Sequence, residues 1–178
     1  RGPFILVAND RSVPDPIIVQ VVCRRPLHPL TKSTQFAGGV FRWILPRINA
    51  IRTRRYRIEP QAVRMVLRRL DEGEGVGIYP EGERSWDARL QPLRRGTVRL
   101  LLKAGVPVIP CGVRGSYDVW PRWSRSVRRS RVRVAFGEPL RWTAMDRREE
   151  REAALEGADR LLRERLTALS EWERGESQ

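Results

Sequence analysis

The chain has 178 residues, 40% of them hydrophobic, enough for one soluble domain with a real core. Its 35 basic and 21 acidic residues give a net charge of +14, carried almost wholly by arginine, since lysine occurs only at Lys32 and Lys103. That balance favours an anionic partner (nucleic acid, an acidic membrane surface or a phosphorylated substrate), while two cysteines, Cys23 and Cys111, do not make a disulfide scaffold and read as buried free thiols. In chain order, "FILVAN" (4–9) reads as a buried strand. "SVPDPIIVQVVCRR" (12–25) reads as a helix, with Ser12 as N-cap, Pro14 in the first turn and Asp15 placed as in a capping box. "PLHPLTK" (26–32) is a short strand that Pro26 and Pro29 push to a sheet edge. "STQFAGGVFRWILPRI" (33–48) is a helix stopped near Pro46, and "NAIRTRR" (49–55) a short strand. "EPQAVRMVLRRLDEG" (59–73) is an amphipathic helix with Val63, Val66, Leu67 and Leu70 on one face. "GVGIYPEGERS" (75–85) is a strand and a loop; "RRGTVRLLLKAG" (94–105) is a helix. "VPVIPCGVRG" (106–115) and "RVRVAFGEPL" (131–140) are strands, and a last helix runs from about Glu149 to Trp172.

Strands alternate with helices, so the expected fold class is α/β: one domain with a central mixed, largely parallel sheet flanked by helices. The domain is expected over 1–172, with 173–178, "RGESQ" and its neighbour, as a disordered tail. The start at Arg1, almost directly in a strand, reads as that of a trimmed chain. No apolar run reaches the ~18 residues needed to span a bilayer, and no signal peptide is read.

Ligands of such sheets gather at the carboxyl ends of the strands. Two loops there are polar: "NDRSVPD" (9–15) and "YPEGERS" (79–85). In the second, Glu81 and Arg84 flank Gly82, and an arginine fork beside backbone N–H groups suits a phosphate. The bland reading is a surface turn with a local ion pair. Asp10 and Asp15 in the first loop are either a helix cap or an active site. The sole histidine, His28, lies between prolines and reads as a packing or surface residue. Six tryptophans (43, 86, 120, 123, 142 and 172) exceed what such a core needs. "YDVWPRWSRSVRRSR" (117–131) mixes aromatics with arginines, as a membrane-interface patch or a nucleic-acid surface does. No nucleic-acid motif accompanies it, which favours the membrane.

"NDRSVPDP", "IRTRR", "YPEGERS" and "VPVIPCGV" follow one another in the order and spacing of the four blocks of the glycerolipid (lysophosphatidic acid) acyltransferases, and the chain resembles that family over about residues 3–140. The resemblance implies transfer of a fatty acyl group from coenzyme A or acyl carrier protein to a hydroxyl of a phosphoglycerol acceptor, in phospholipid biosynthesis. It implies no cofactor beyond the thioester and no metal. It implies a peripheral protein on the cytoplasmic side of the membrane, with an anionic membrane surface as partner and no specific nucleic acid. In the family, the first block is His-x-x-x-x-Asp: the histidine is the general base and the aspartate orients it. Asp15 matches that aspartate, and Asp10 stands at the histidine position. Arg52, Arg84, Glu81 and Gly82 match the phosphate-binding blocks, Lys32 resembles a basic residue ahead of the second, and Glu83 replaces a usual threonine. The departure at Asp10 sets an active enzyme with an altered base beside a second reading. That reading is an inactive relative that binds phospholipid or acyl thioester. A basic nucleic-acid-binding protein is the third class.

Overall fold

The computed structural model describes residues 2–32, 39, 41–53, 60–121, 123, 124 and 126–171. Its strands are β1 (Phe4–Ala8), β2 (Leu27–Lys32), β3 (Ile51–Thr53), β4 (Gly75–Ile78), β5 (Val108–Arg114) and β6 (Arg133–Phe136). They form a sheet in the order β3-β2-β4-β1-β5-β6. The ladders joining β1 through β5 are parallel, and β6 alone runs antiparallel, against β5. The helices are α1 (Asp15–Val22), α2 (Phe41–Arg47), α3 (Pro60–Asp71), α4 (Arg95–Ala104), α5 (Ser116–Val119) and α6 (Arg148–Ser170). This is the mixed, largely parallel α/β architecture expected from the alternation of elements.

The two faces of the sheet are covered unequally. Ile5, Val7, Val76, Ile78 and Val108 pack under α3, α4 and α6, which contribute Val66, Leu70, Leu101, Leu102, Leu162 and Leu166. The opposite face, with Phe4, Leu6, Ala8, Leu27, Cys111 and Val113, packs against Val19 of α1. Alternation along β1 thus feeds two cores from one strand buried throughout. Gly112 lets α6 lie on β5, since a Cβ there would come within 2.4 Å of the Leu169 backbone. Both cysteines are free thiols; Cys111 is buried as expected, while Cys23, at the end of α1, is only half-buried.

Several boundaries differ from the sequence expectation for physical reasons. β2 is not an edge strand despite Pro29; β3 takes the edge instead. Leu27–Pro29 pair with β4 while Leu30–Lys32 pair with β3, so Pro29 sits where the strand changes partner and its missing N–H costs little. Ser12 is not the N-cap of α1. The helix starts at Asp15, with Pro14 at the cap position and no side-chain cap, and it ends at Val22 rather than near Arg25. α2 ends at Arg47, next to Pro46, as expected, with the proline inside its last turn. The single turn α5 was not foreseen. Residues 33–38 and 40 of the expected second helix lie outside the described residues, as do Arg54, Arg55, Arg57, Trp172 and the expected tail, 173–178.

Candidate active site

β1 and β4 are adjacent and parallel, so the loops that follow them share one edge of the sheet. Asn9 leaves β1 with its side chain acting as one more strand residue. Its Nδ2 donates to Val113 O (2.9 Å) and its Oδ1 accepts from Val113 N (2.7 Å). The next residue is clipped to the other loop. Asp10 N donates to Glu81 Oε1 at 2.7 Å, across 71 positions of sequence. Ser85 N donates to Asp10 O at 2.8 Å. Glu81 Oε2 accepts from Gln91 N at 2.7 Å, so both oxygens of this buried carboxylate hold backbone N–H groups. Arg94 closes the loop from behind, its Nε donating to Glu81 O and its N to Pro80 O. Gly82 adopts φ +68°, and a Cβ there would meet Arg94 Nε at 1.9 Å; only glycine gives that turn both its backbone and its space.

Asp15 folds back over its own loop. Its Oδ2 accepts from Arg11 N (2.7 Å) and Ser12 N (2.8 Å), and the side chain is fully buried. Ser12 Oγ, expected to cap the helix, donates instead to Trp120 O at 2.7 Å. Among the described residues, Asp15 Oδ1 and Ser116 Oγ have no hydrogen-bond partner. Burial pushes the Asp15 carboxyl up to about 6, against the opposing pull of the neighbouring Ser116 hydroxyl and the Arg11 and Ser12 N–H groups. Burial likewise pushes Glu81 up to about 7, opposed by the N–H groups of Asp10 and Gln91 and by the Arg11 charge. Tyr79, half-buried just after β4, is raised by burial and then by the charges of Asp15 and Asp10. Arg11 is 6% exposed, and its Nε and Nη2 have no hydrogen-bond partner among the described residues. Burial lowers its pKa, while Glu171, Glu81 and Asp15 pull it back.

These raised carboxyls make stability depend on pH with a definite sign. The folded chain keeps protons on Asp15 and Glu81 that the unfolded chain releases near 3.8 and 4.5. Stability should therefore fall as pH rises from about 4 to about 7, then level off. Asp15→Asn should flatten the lower part of that slope, because one amide oxygen can still accept both N–H groups. Urea denaturation of parent and variant across this range checks it; equal slopes would remove Asp15 as the source.

The expected site residues divide into an inner and an outer group. Asp10, Asp15, Glu81, Gly82 and Arg84 meet at the β1–β4 end, where Asp10 and Arg84 are partly exposed. Arg52 is exposed on β3, two strands from β4 and so about 10 Å outward at the usual strand spacing. Lys32 is beside it in the ladder, where Thr31 pairs with Arg52 and Lys32 with Thr53; its side chain lies outside the described residues. His28 is not part of this site. It sits at the start of β2, at the opposite end of the sheet, buried, with Nε2 2.6 Å from Glu74 and Nδ1 3.2 Å from Asn49 O. Of the two sequence readings, packing or surface, the structure bears out the first. Asn9, Arg11, Tyr79, Gln91, Arg94 and Ser116 support the site without having been singled out. An apolar groove of about 810 Å³ lies on the α1 face at the amino-terminal ends of β1 and β5, floored by Phe4, Leu6, Ile109 and Phe136. It opens at the end of the sheet away from these carboxylates.

The family model described as Acyltransferase matches residues 1–114. The chain belongs to the acyltransferase family. Relatives of this acyltransferase chain include the chloroplastic 1-acyl-sn-glycerol-3-phosphate acyltransferase BAT2 of Brassica napus, 26% identical over 78% of this chain and 41% of the relative. The 1-acyl-sn-glycerol-3-phosphate acyltransferase of Bacillus subtilis is 25% identical over 77% of this chain and 66% of the relative. The chain thus spans about two fifths of the Brassica protein's length. Among solved structures, the 1-acyl-sn-glycerophosphate (LPA) acyltransferase PlsC of Thermotoga maritima superposes with a TM-score of 0.70 at 24% identity, covering 92% of this chain and 66% of that one. The acyltransferase chain shares that α/β fold.

Proposed function

We propose that the chain transfers a fatty acyl group from an acyl-coenzyme A or acyl carrier protein thioester to the free hydroxyl of a 1-acylglycerol 3-phosphate. One observation carries this reading: Glu81 clips the Asp10 backbone to the arginine-bearing loop, bringing a partly exposed carboxylate and Arg84 to one mouth. The acceptor oxygen attacks the thioester carbonyl as its proton passes to Asp10; the C–O bond forms, the C–S bond breaks, and the thiolate leaves to take a proton. Arg84 pairs with the acceptor phosphate as a fork, with Arg52 and Lys32 extending the positive field outward. Asp15 and Glu81 position the loop rather than touching substrate. The chain works as a peripheral protein against an anionic bilayer, on its cytoplasmic side; no helix among the described residues is long and apolar enough to cross a membrane.

A second reading rests on Asp10 itself. A carboxylate is a weaker base than imidazole by about 2.6 pK units at reference values, so the chain is alternatively a binding relative without turnover. The test is acyl transfer from acyl-coenzyme A to lysophosphatidic acid, with monoacylglycerol as a phosphate-free control. Transfer to the phosphorylated acceptor above the control is the expected result. Equal use of both acceptors would remove the phosphate site, and binding of lysophosphatidic acid without transfer would select the second reading.

A further inference from the structure

Beside the mouth of this site the chain holds two indoles out in water. Trp86, in the loop after β4, is 58% exposed, and Trp123 is 59% exposed. They are held by one tyrosine: Trp123 Nε1 donates to Tyr117 OH (3.1 Å), which donates to Trp86 O (2.5 Å). The segment is fastened to the site loop as well, through Ser12 Oγ on Trp120 O, and is closed by Arg128 N on Val119 O. Val127, 63% exposed, adds apolar surface. Residues 119–133 contain six arginines and no acid, and Arg89, Arg128, Arg129 and Arg131 are exposed. Asp118 and Glu138 are the exposed acids nearest to that segment in sequence, and Asp87 the one nearest to Trp86.

We infer that Trp86, Tyr117 and Trp123 form a platform that docks the mouth of the site on an anionic bilayer interface. The inference rests on the proposed function in one respect, since an acceptor anchored by its acyl chain must be presented at that mouth. The chemistry of the platform itself favours this partner. The Trp123 N–H is already spent inside the protein, so its ring can leave water without stranding a donor. Indoles settle at the headgroup level, where an apolar face and nearby positive charge are both matched. Arginines in the same segment meet lipid phosphates and surface charge. A single-stranded nucleic acid would also meet arginine and stack on exposed rings, and it is the rival that the experiment must separate.

The experiment is sedimentation of the full chain with vesicles of phosphatidylcholine, with or without phosphatidylglycerol, alongside a labelled oligonucleotide. The parent should bind the anionic vesicles preferentially, and less as salt rises. Trp86→Ser/Trp123→Ser should weaken that binding by at least about tenfold, and Trp86→Phe/Trp123→Phe should restore most of it. Acyl transfer to a short-chain, water-soluble lysophosphatidic acid should be unchanged in the serine variant. Undiminished vesicle binding in that variant, or loss of oligonucleotide binding with vesicle binding kept, would overturn the inference. If no form transfers acyl groups while the serine variant still loses the vesicles, the proposed function fails and the docking surface stands.

Discussion

Replacing Asp10 by histidine should raise the acyl-transfer rate at neutral pH by at least about tenfold. The reason is local chemistry. A base works best with a pKa near the working pH, and imidazole is closer to it than a carboxylate. Imidazole also reaches farther from the backbone, while the two main-chain bonds that fix position 10, to Glu81 and from Ser85, do not involve its side chain. The structure also names the residue on which the gain should depend. Asp15 spends Oδ2 on two backbone N–H groups, while Oδ1 has no hydrogen-bond partner among the described residues. That oxygen can accept the N–H of an imidazole and hold its tautomer. Adding Asp15→Asn to Asp10→His should therefore cancel most of the gain. Initial rates with acyl-coenzyme A and lysophosphatidic acid measure both steps. A parent as fast as the histidine variant would make Asp10 a competent base. A gain that survives Asp15→Asn would detach the two positions.

Glu81→Ala should be the most damaging single change at the site. It leaves the N–H groups of Asp10 and Gln91 without their acceptor, each at a cost of about 1–3 kcal/mol when buried. It also removes one of the ties between the 79–91 loop and the end of β1, leaving the Ser85 N–Asp10 O bond, so the common frame of Arg84 and Asp10 loosens. Glu81→Gln isolates the cause, because an amide presents one acceptor oxygen where the carboxylate presents two. The glutamine variant should lie between parent and alanine in urea midpoint, with affinity for lysophosphatidic acid falling in the same order. If both variants unfold at the parent's midpoint, the clip contributes nothing and the loops are held by Ser85 and Arg94 instead.

The inner site was legible because each half is a short polar motif following a buried strand. Asp10 and Asp15 sit in one such loop, Glu81, Gly82 and Arg84 in the other, and a parallel sheet places the ends of neighbouring strands together. What each residue does was less legible. Glu81 reads as a phosphate-site residue, yet its oxygens serve two backbone N–H groups, one of them 71 positions away. Asp15 reads as the return residue of a capping box, and it does accept the Ser12 N–H, with that of Arg11 beside it; the other half fails, because Ser12 Oγ goes to Trp120 O and the helix begins on Asp15 itself. Arg94 and Ser116 carry no local signal; their places come from loop closure and from α5. Pro29 misled through a sound rule, since a strand that changes partner at the proline needs no ladder bond there. The periodic helices α3, α4 and α6 were the plainest features, because burial of one face writes itself along the chain.

The bonds from Asp10 N to Glu81 and from Ser85 N to Asp10 O use atoms that nineteen of the twenty residues share; proline alone lacks the N–H. Those two bonds are thus indifferent to which side chain occupies position 10. A lineage can exchange one base for another there, or abandon turnover altogether, without breaking either bond. The same indifference opens the position to engineering: cysteine, glutamate or histidine can each be tried there with both main-chain bonds kept, and their rates compared.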